Sequence, residues 1–158
     1  MEGSLLLPWL IAAFIIIADQ ATKYYAATIL IKQPGYTVPI ISNILHLTYA
    51  ENKGAAFSIL QNQRWLFITL TIIICIVIIF ILITHSSMHI LLKISLSLIL
   101  GGAIGNLIDR IKLGYVIDFI DFRIINYPIF NLADSAVVIG TILLSYYVVF
   151  LSDKKAVV

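Results

Sequence analysis

Nineteen residues from Trp65 to Ile83 form an almost unbroken apolar run, interrupted only by Thr69, Thr71 and Cys75. A bilayer core of about 30 Å is crossed by about 20 helical residues, so this run predicts a transmembrane helix. Three further apolar spans are expected, from about Leu5 to Tyr24, Ile90 to Ile108 and Ala133 to Leu151. Composition points the same way. The 158 residues are 61% hydrophobic and 11% charged, with a mean hydropathy of +1.07. A soluble domain is typically about 25% charged. A water-soluble fold of this length could not hide so much apolar surface, so the chain reads as a single integral membrane domain, residues 1–158. The net charge of +2 gives no reason to expect nucleic acid. The one cysteine, Cys75, lies inside an isoleucine-rich run. It excludes an intrachain disulfide and a cysteine metal cluster, and reads as a small apolar filler. No cleavable leader is expected, because MEGS lacks a positive start.

The connections between spans differ. The second and third are joined by the short turn THSSMH. The first and second are separated by Tyr25–Arg64, with turn signals at Pro34-Gly35 and Ser42-Asn43 and strand-like runs YTVPII and ILHLTYA. This pattern predicts a small sheet resting on the membrane surface. The third and fourth spans are separated by Asp109–Leu132. Four spans place both long connections on one side and both termini on the other. Lys23, Lys32, Lys53, Arg64, Arg110, Lys112 and Arg123 fall on the long-connection side, against Lys93, Lys154 and Lys155 on the other. Counted alone, these cations put the long connections in the cytoplasm.

Six of the eight acids, Asp19, Glu51, Asp109, Asp118, Asp121 and Asp134, also map to the long-connection side. Ionisable groups at membrane depth are costly, about 2.5–3.5 kcal/mol each on insertion scales, and their clustering suggests a site. In ADQATK, Asp19 and Lys23 are spaced i, i+4 and can pair on a helix. That pair reads either as a structural helix end or as a brace for a nearby site. AENKGAAFSIL combines Asn52 with Gly54 and reads as a turn or as the wall of a peptide groove. GGAIGNLIDRI closes the third span with Asn106, Asp109 and Arg110, after a face of Gly101, Gly102 and Gly105 that allows close helix approach. FNLADSA opens the fourth, with Asn131 in position to cap the helix and Asp134 three residues on.

If the third connection folds back, a carboxylate from YVIDFIDF can meet Asp134 at the membrane surface. Two close carboxylates share one proton, one acting as acid and the other as base toward water. Spacing alone does not choose between Asp118 and Asp121, which face similarly on a helix and oppositely on a strand. Other hydrolytic chemistries lack parts. His46, in an expected strand, is the one histidine on the acidic side; His85 and His89 lie opposite; no HExxH motif is present. A small proton-coupled transporter and a non-catalytic assembly subunit held by the glycine face are the rival classes. A transporter would carry acids near the middle of several spans.

The strings DQATK, NKGAAFS, GGAIGNLIDRI, GYVIDFIDF and FNLADSA resemble, in order and spacing, the signature blocks of the lipoprotein signal peptidases (signal peptidase II). The resemblance implies an all-α membrane protein with a small β part: four transmembrane helices plus an extracytoplasmic β-cradle and a surface helix. It implies an aspartic endopeptidase of the bacterial cell membrane that acts on prolipoproteins and cleaves before the diacylglyceryl-modified cysteine. It further implies Asp118 and Asp134 as the catalytic pair, with Asn52, Gly54, Asn106, Arg110 and Asn131 lining the site. Asp19 and Asp109 support it, and Asp121 is left as a structural acid beside Arg123 or Lys112. No metal or cofactor is expected, and the partners are lipidated substrate and membrane lipid, with the enzyme acting as a monomer. The family orientation, termini in the cytoplasm and long connections outside, opposes the cation count and is preferred because the substrate is processed at the outer face.

Overall fold

The computed structural model describes residues 5–54, 60–85, 87–125 and 127–152. Four long helices, α1 (Leu7–Thr28), α2 (Arg64–Thr84), α3 (Ile90–Lys112) and α4 (Leu132–Phe150), carry most of the chain. Three strands, β1 (Thr37–Ile41), β2 (Leu45–Asn52) and β3 (Val116–Phe122), form one antiparallel sheet in the order β1-β2-β3. Among the described residues, α2, α3 and α4 are long and apolar enough to cross a membrane. The first helix is not among them. Its N-terminal half is apolar behind Pro8, but Asp19, Gln20 and Lys23 sit in its second half. The surface helix implied by the resemblance is not among the described elements. Residues 55–59 of AENKGAAFSIL lie outside them.

The helix α3 is the central post, packed against α1, α2 and α4. Its glycines explain how. A Cβ on Gly101 would fall 2.9 Å from the Ala12 carbonyl of α1, and one on Gly105 would fall 2.6 Å from Asp19 Oδ2. A Cβ on Gly102 would instead strike the carbonyl of Ala133 in α4. The expected single glycine face is therefore two faces, serving two neighbours. Gly140 completes the α3–α4 contact by approaching the Ser95 carbonyl. On the other side, Cys75, Ile78 and Leu82 of α2 pack with Leu96, Leu100 and Ala12. Ile68 is also buried, whereas Leu70, Ile73, Ile76, Val77, Phe80 and Ile83 of α2 are exposed, as a lipid-facing side of the helix requires.

The third helix runs one turn past the expected end of its span, to Lys112, so Asp109 and Arg110 are helical. Arg64, at the start of α2, holds that last turn: its Nε donates to the Arg110 carbonyl at 2.7 Å and its Nη2 to that of Ile111 at 2.9 Å. Gly114, at φ +87°, then turns the chain into β3.

The stretch VIDFIDF is the strand that joins the two long connections. It pairs with β2 in the register Ala50↔Asp118 and His46↔Asp121, with a bulge in β2 between Leu47 and Ala50. The turn from β1 to β2 places Asn43 at φ +60°, where Asn is well tolerated. The sheet rests on the end of α1 through Ala26, Leu30, Ile117 and Phe119.

Candidate active site

The strand β3 separates its two aspartates by three residues, so they point to opposite faces. Asp121 joins a polar patch on one face. It accepts from Thr48 Oγ1 at 2.8 Å and pairs with Arg123 Nε at 2.9 Å. His46, beside it in β2, is buried, and its Nδ1 lies 3.3 Å from Thr37 Oγ1. Asp118 lies on the face turned toward the start of α4 and is 2% exposed.

One backbone device brings α4 to it. The segment before the helix pairs with β3: the Phe130 carbonyl accepts from Ile120 N–H at 2.8 Å, and Phe130 N–H donates to the Ile120 carbonyl at 3.1 Å. The next residue, Asn131, is thereby fully buried beside the strand. It caps α4, its Oδ1 accepting from the Asp134 N–H at 2.8 Å while Asp134 Oδ2 accepts from the Asn131 N–H at 3.2 Å. The capping box expected at this helix start is present. The cap leaves the other end of the amide free to act. Asn131 Nδ2 donates to Asp118 Oδ1 at 2.7 Å. A single asparagine thus hydrogen-bonds both carboxylates.

Each carboxylate has a second amide donor. Asn52 Nδ2 donates to Asp118 Oδ2 at 3.0 Å, its own Oδ1 being occupied by the Gly54 N–H at 2.9 Å. Asn106 Nδ2 donates to Asp134 Oδ1 at 2.7 Å. Burial, and after it the negative charge of Asp134, pushes the Asp118 carboxyl up to about 7. Hydrogen bonds from Asn52 and Asn131 and the charge of Lys23 pull the other way. Two carboxylates in this setting can hold one proton between them near neutral pH.

Behind the pair lies a buried ionic cluster. Lys23 Nζ contacts Asp19 Oδ2 at 2.8 Å and Asp109 Oδ2 at 3.0 Å. Asp19 Oδ1 accepts from the Ala133 N–H at 3.0 Å, and Asp109 Oδ2 from that of Ile117 at 3.2 Å. The two acids flanking Lys23 thus pin the backbone beside each member of the pair. Gln20, which no sequence signal singles out, donates to Asp109 Oδ1 at 3.0 Å.

In front lies a cavity of about 350 Å³ lined by Asn52, Asn106, Arg110, Tyr127, Phe130 and Asp134. Arg110 stands over the Phe67 ring at 5.0 Å, and its Nη2 donates to the Gly54 carbonyl at 3.3 Å. A second, more apolar cavity of about 430 Å³ adjoins it, lined by Phe122, Ile125, Tyr127, Phe130, Asp134 and Ile139. Asp134, half-buried, borders both cavities. Among the described residues, no group of three or more His, Cys, Asp or Glu side chains is placed to hold a metal ion. All nine residues named for the site from sequence come together here. No sequence signal marks Phe67, Tyr127 or Phe130, since aromatic residues in an apolar chain carry no distinguishing pattern.

A family model described as signal peptidase (SPase) II matches residues 11–150. The lipoprotein signal peptidase of Caldanaerobacter subterraneus subsp. tengcongensis is 49% identical over 141 residues, spanning 89% of this chain and 94% of that one. That of Clostridioides difficile is 44% identical over 146 residues, spanning 92% and 97%. A bacterial membrane enzyme solved by the in meso method superposes with a TM-score of 0.83 at 38% identity, covering 96% of this chain and 92% of that chain.

Proposed function

Since the chain belongs to the signal peptidase II family, a family of aspartic peptidases, we propose that it removes signal peptides from prolipoproteins, with Asp118 and Asp134 as the catalytic pair. The observation that carries this reading is the bridge through Asn131, whose Nδ2 donates to Asp118 and whose backbone N–H donates to Asp134. Asp19 and Asp109 also share ligands, in Lys23 and Gln20, but neither lines the polar cavity that Asp134 borders. A proton-coupled transporter would need acids near the middle of its spans. Here one acid comes from a strand and its partner from the third residue of a helix.

The reaction follows from the arrangement. The substrate backbone enters the polar cavity in extended form, with Asn52 and Arg110 beside it. The ionised carboxylate takes a proton from water as the water oxygen attacks the scissile carbonyl carbon. The protonated carboxyl hydrogen-bonds the carbonyl oxygen, offsetting the negative charge that develops there. Collapse of the tetrahedral intermediate breaks the C–N bond, and a proton passes to the leaving amine. The products are a signal peptide ending in a carboxylate and a lipoprotein beginning at its lipidated cysteine. Asp134 is the member that meets water, because it borders the cavity while Asp118 is buried. The apolar cavity next to Asp134 suits acyl chains, so the diacylglyceryl cysteine sits there.

Four helices cross the membrane in this reading, α1 included. Its charged half escapes the lipid penalty because Asp19 and Lys23 are paired inside the protein. The sheet forms a cradle at the extracytoplasmic face of the bacterial cell membrane, both termini are cytoplasmic, and the enzyme works as a monomer. The adverse cation count has a physical explanation. Lys23 and Arg123 are committed to ion pairs, and Arg64 and Arg110 to backbone carbonyls. Cations used this way report the fold rather than the topology.

The test is to incubate the purified protein with a prolipoprotein bearing diacylglyceryl-cysteine and with the same protein unlipidated. Loss of the signal-peptide mass from the lipidated form alone is expected. No cleavage of either form would overturn the proposal.

A further inference from the structure

Lys23 is 2% exposed and belongs to no element of the proposed catalytic pair. An ammonium has three N–H donors and no acceptor. All three are spent inside the protein: on Asp19 Oδ2 at 2.8 Å, on Asp109 Oδ2 at 3.0 Å, and on Asn106 Oδ1 at 2.8 Å. The first two contacts would satisfy a purely structural ion pair. The third reaches toward the pair.

The Asn106 side chain has two ends, and its neighbours tell them apart. One end faces two donors, Lys23 Nζ and Asn131 Nδ2, the latter at 3.1 Å. The other faces an acceptor, Asp134 Oδ1, at 2.7 Å. Rotating the amide by half a turn would set N–H groups against N–H groups on one side and oxygen against carboxylate on the other. We propose that Lys23 is a positioning residue for the reaction: it locks the Asn106 amide in the one orientation that donates to Asp134 and accepts from Asn131. Asn131 in turn holds Asp118. The relay therefore runs from α1 through α3 to both carboxylates. This inference rests on the assignment of Asp118 and Asp134 as the catalytic pair.

Charge gives the relay a second signature. The groups acting on Asp118 are Asp134 from α4, Lys23 from α1, and the amides of Asn52 and Asn131. Arg110 of α3 also feels both aspartates. The Lys23 charge favours ionised Asp118, so its removal alone would make the pair hold its proton to higher pH, and removing the Asp19 charge with it offsets that shift.

Replacing Lys23 alone would strand two buried carboxylates, so the test uses Lys23→Met with Asp19→Asn. The cluster keeps its net charge, and the amide oxygen introduced by Asp19→Asn can still accept from the Ala133 N–H. With a lipidated prolipoprotein, kcat at neutral pH is expected to fall about 10-fold or more, the scale of losing one preorganised donor contact at second hand. KM should stay within about two-fold, and, because the net charge of the cluster is unchanged, the alkaline limb of the kcat profile should stay in place, which separates lost positioning from lost charge. In an Asn106→Ala background the same pair of changes should cost nothing further, because the relay is already cut. A folded variant with unchanged kcat would overturn the inference, as would full additivity with Asn106→Ala. If the double variant does not fold, adding Asp109→Asn removes the last unpaired charge, and the comparison of kcat, KM and additivity with Asn106→Ala is repeated. Failure of both to fold would reduce Lys23 to a structural pin and also reject the inference. Asp134→Asn serves as the control. An active Asp134→Asn enzyme would defeat the catalytic pair itself, whereas an inactive one beside a wild-type-like Lys23 variant would defeat only the relay.

Discussion

The side-chain amide of Asn131 lies 2.7 Å from Asp118 Oδ1, while its carbonyl oxygen caps the helix that carries Asp134. Helix start and active-site bridge are one residue. Asn131→Ala should therefore cost about 0.5–2 kcal/mol of stability through the lost cap. It should also lower kcat by roughly 100-fold through the lost donor. Thermal unfolding and steady-state kinetics on one preparation separate the two effects. A variant with the stability loss but normal kcat would show that the bridge has no part in catalysis.

The raised Asp118 carboxyl sets the pH response. Its value in the fold, about 7, exceeds the ordinary 3.8. The folded protein thus binds this proton more tightly than the unfolded chain does. The stability it contributes is complete below about pH 4 and drains away as pH rises toward 7. Asp118→Asn removes that dependence, so its melting temperature relative to wild type should climb between pH 5 and 8, on the order of a few degrees. Activity carries the same sign: kcat should decline above about pH 7, where the shared proton is lost. A kcat still rising at pH 9 would contradict the shared-proton account.

Asp121 is the contrasting acid. Its partner Arg123 is partly exposed, and the ion pair is worth about 0–1 kcal/mol. Asp121→Asn should leave most activity intact and shift stability only slightly. Complete loss of cleavage in a folded Asp121→Asn protein would mean that the wrong aspartate of the strand has been assigned.

Gly105 has no room for a side chain. A methyl there would press on Asp19 Oδ2 at 2.6 Å, displacing the acid that pairs with Lys23 and accepts from Ala133. Gly105→Ala should destabilise the protein by about 1–3 kcal/mol, the range for overpacking. Its cleavage rate should fall as well, because the ionic cluster backs the site. Chemical denaturation in detergent compared with wild type reads the first effect. A stable, fully active variant would show that α1 yields freely at this point.

The sequence announces its helices plainly, because apolar runs such as Trp65–Ile83 are local signals. The i, i+4 spacing of Asp19 and Lys23 and the capping pattern at Asn131 are legible for the same reason. The choice between Asp118 and Asp121 is not local. It depends on VIDFIDF being a strand rather than a helix, and that strand exists because β2, some seventy residues earlier, supplies its partner. Equally hidden is the pairing of Phe130 with Ile120, which carries Asn131 to the strand. The third bond of Lys23 could not be read either. Nothing in ADQATK indicates that Asn106, 83 residues on, completes its set of acceptors. Local rules find the groups, and long-range pairing decides which ends of them meet.

The most direct measurement concerns the two carboxylates themselves. Asp118→Asn and Asp134→Asn proteins, each shown to unfold cooperatively, are incubated with a prolipoprotein bearing diacylglyceryl-cysteine and followed by intact mass. The account predicts that neither releases the signal peptide under conditions where the wild-type enzyme completes the reaction. Cleavage at the wild-type rate by either variant would contradict it.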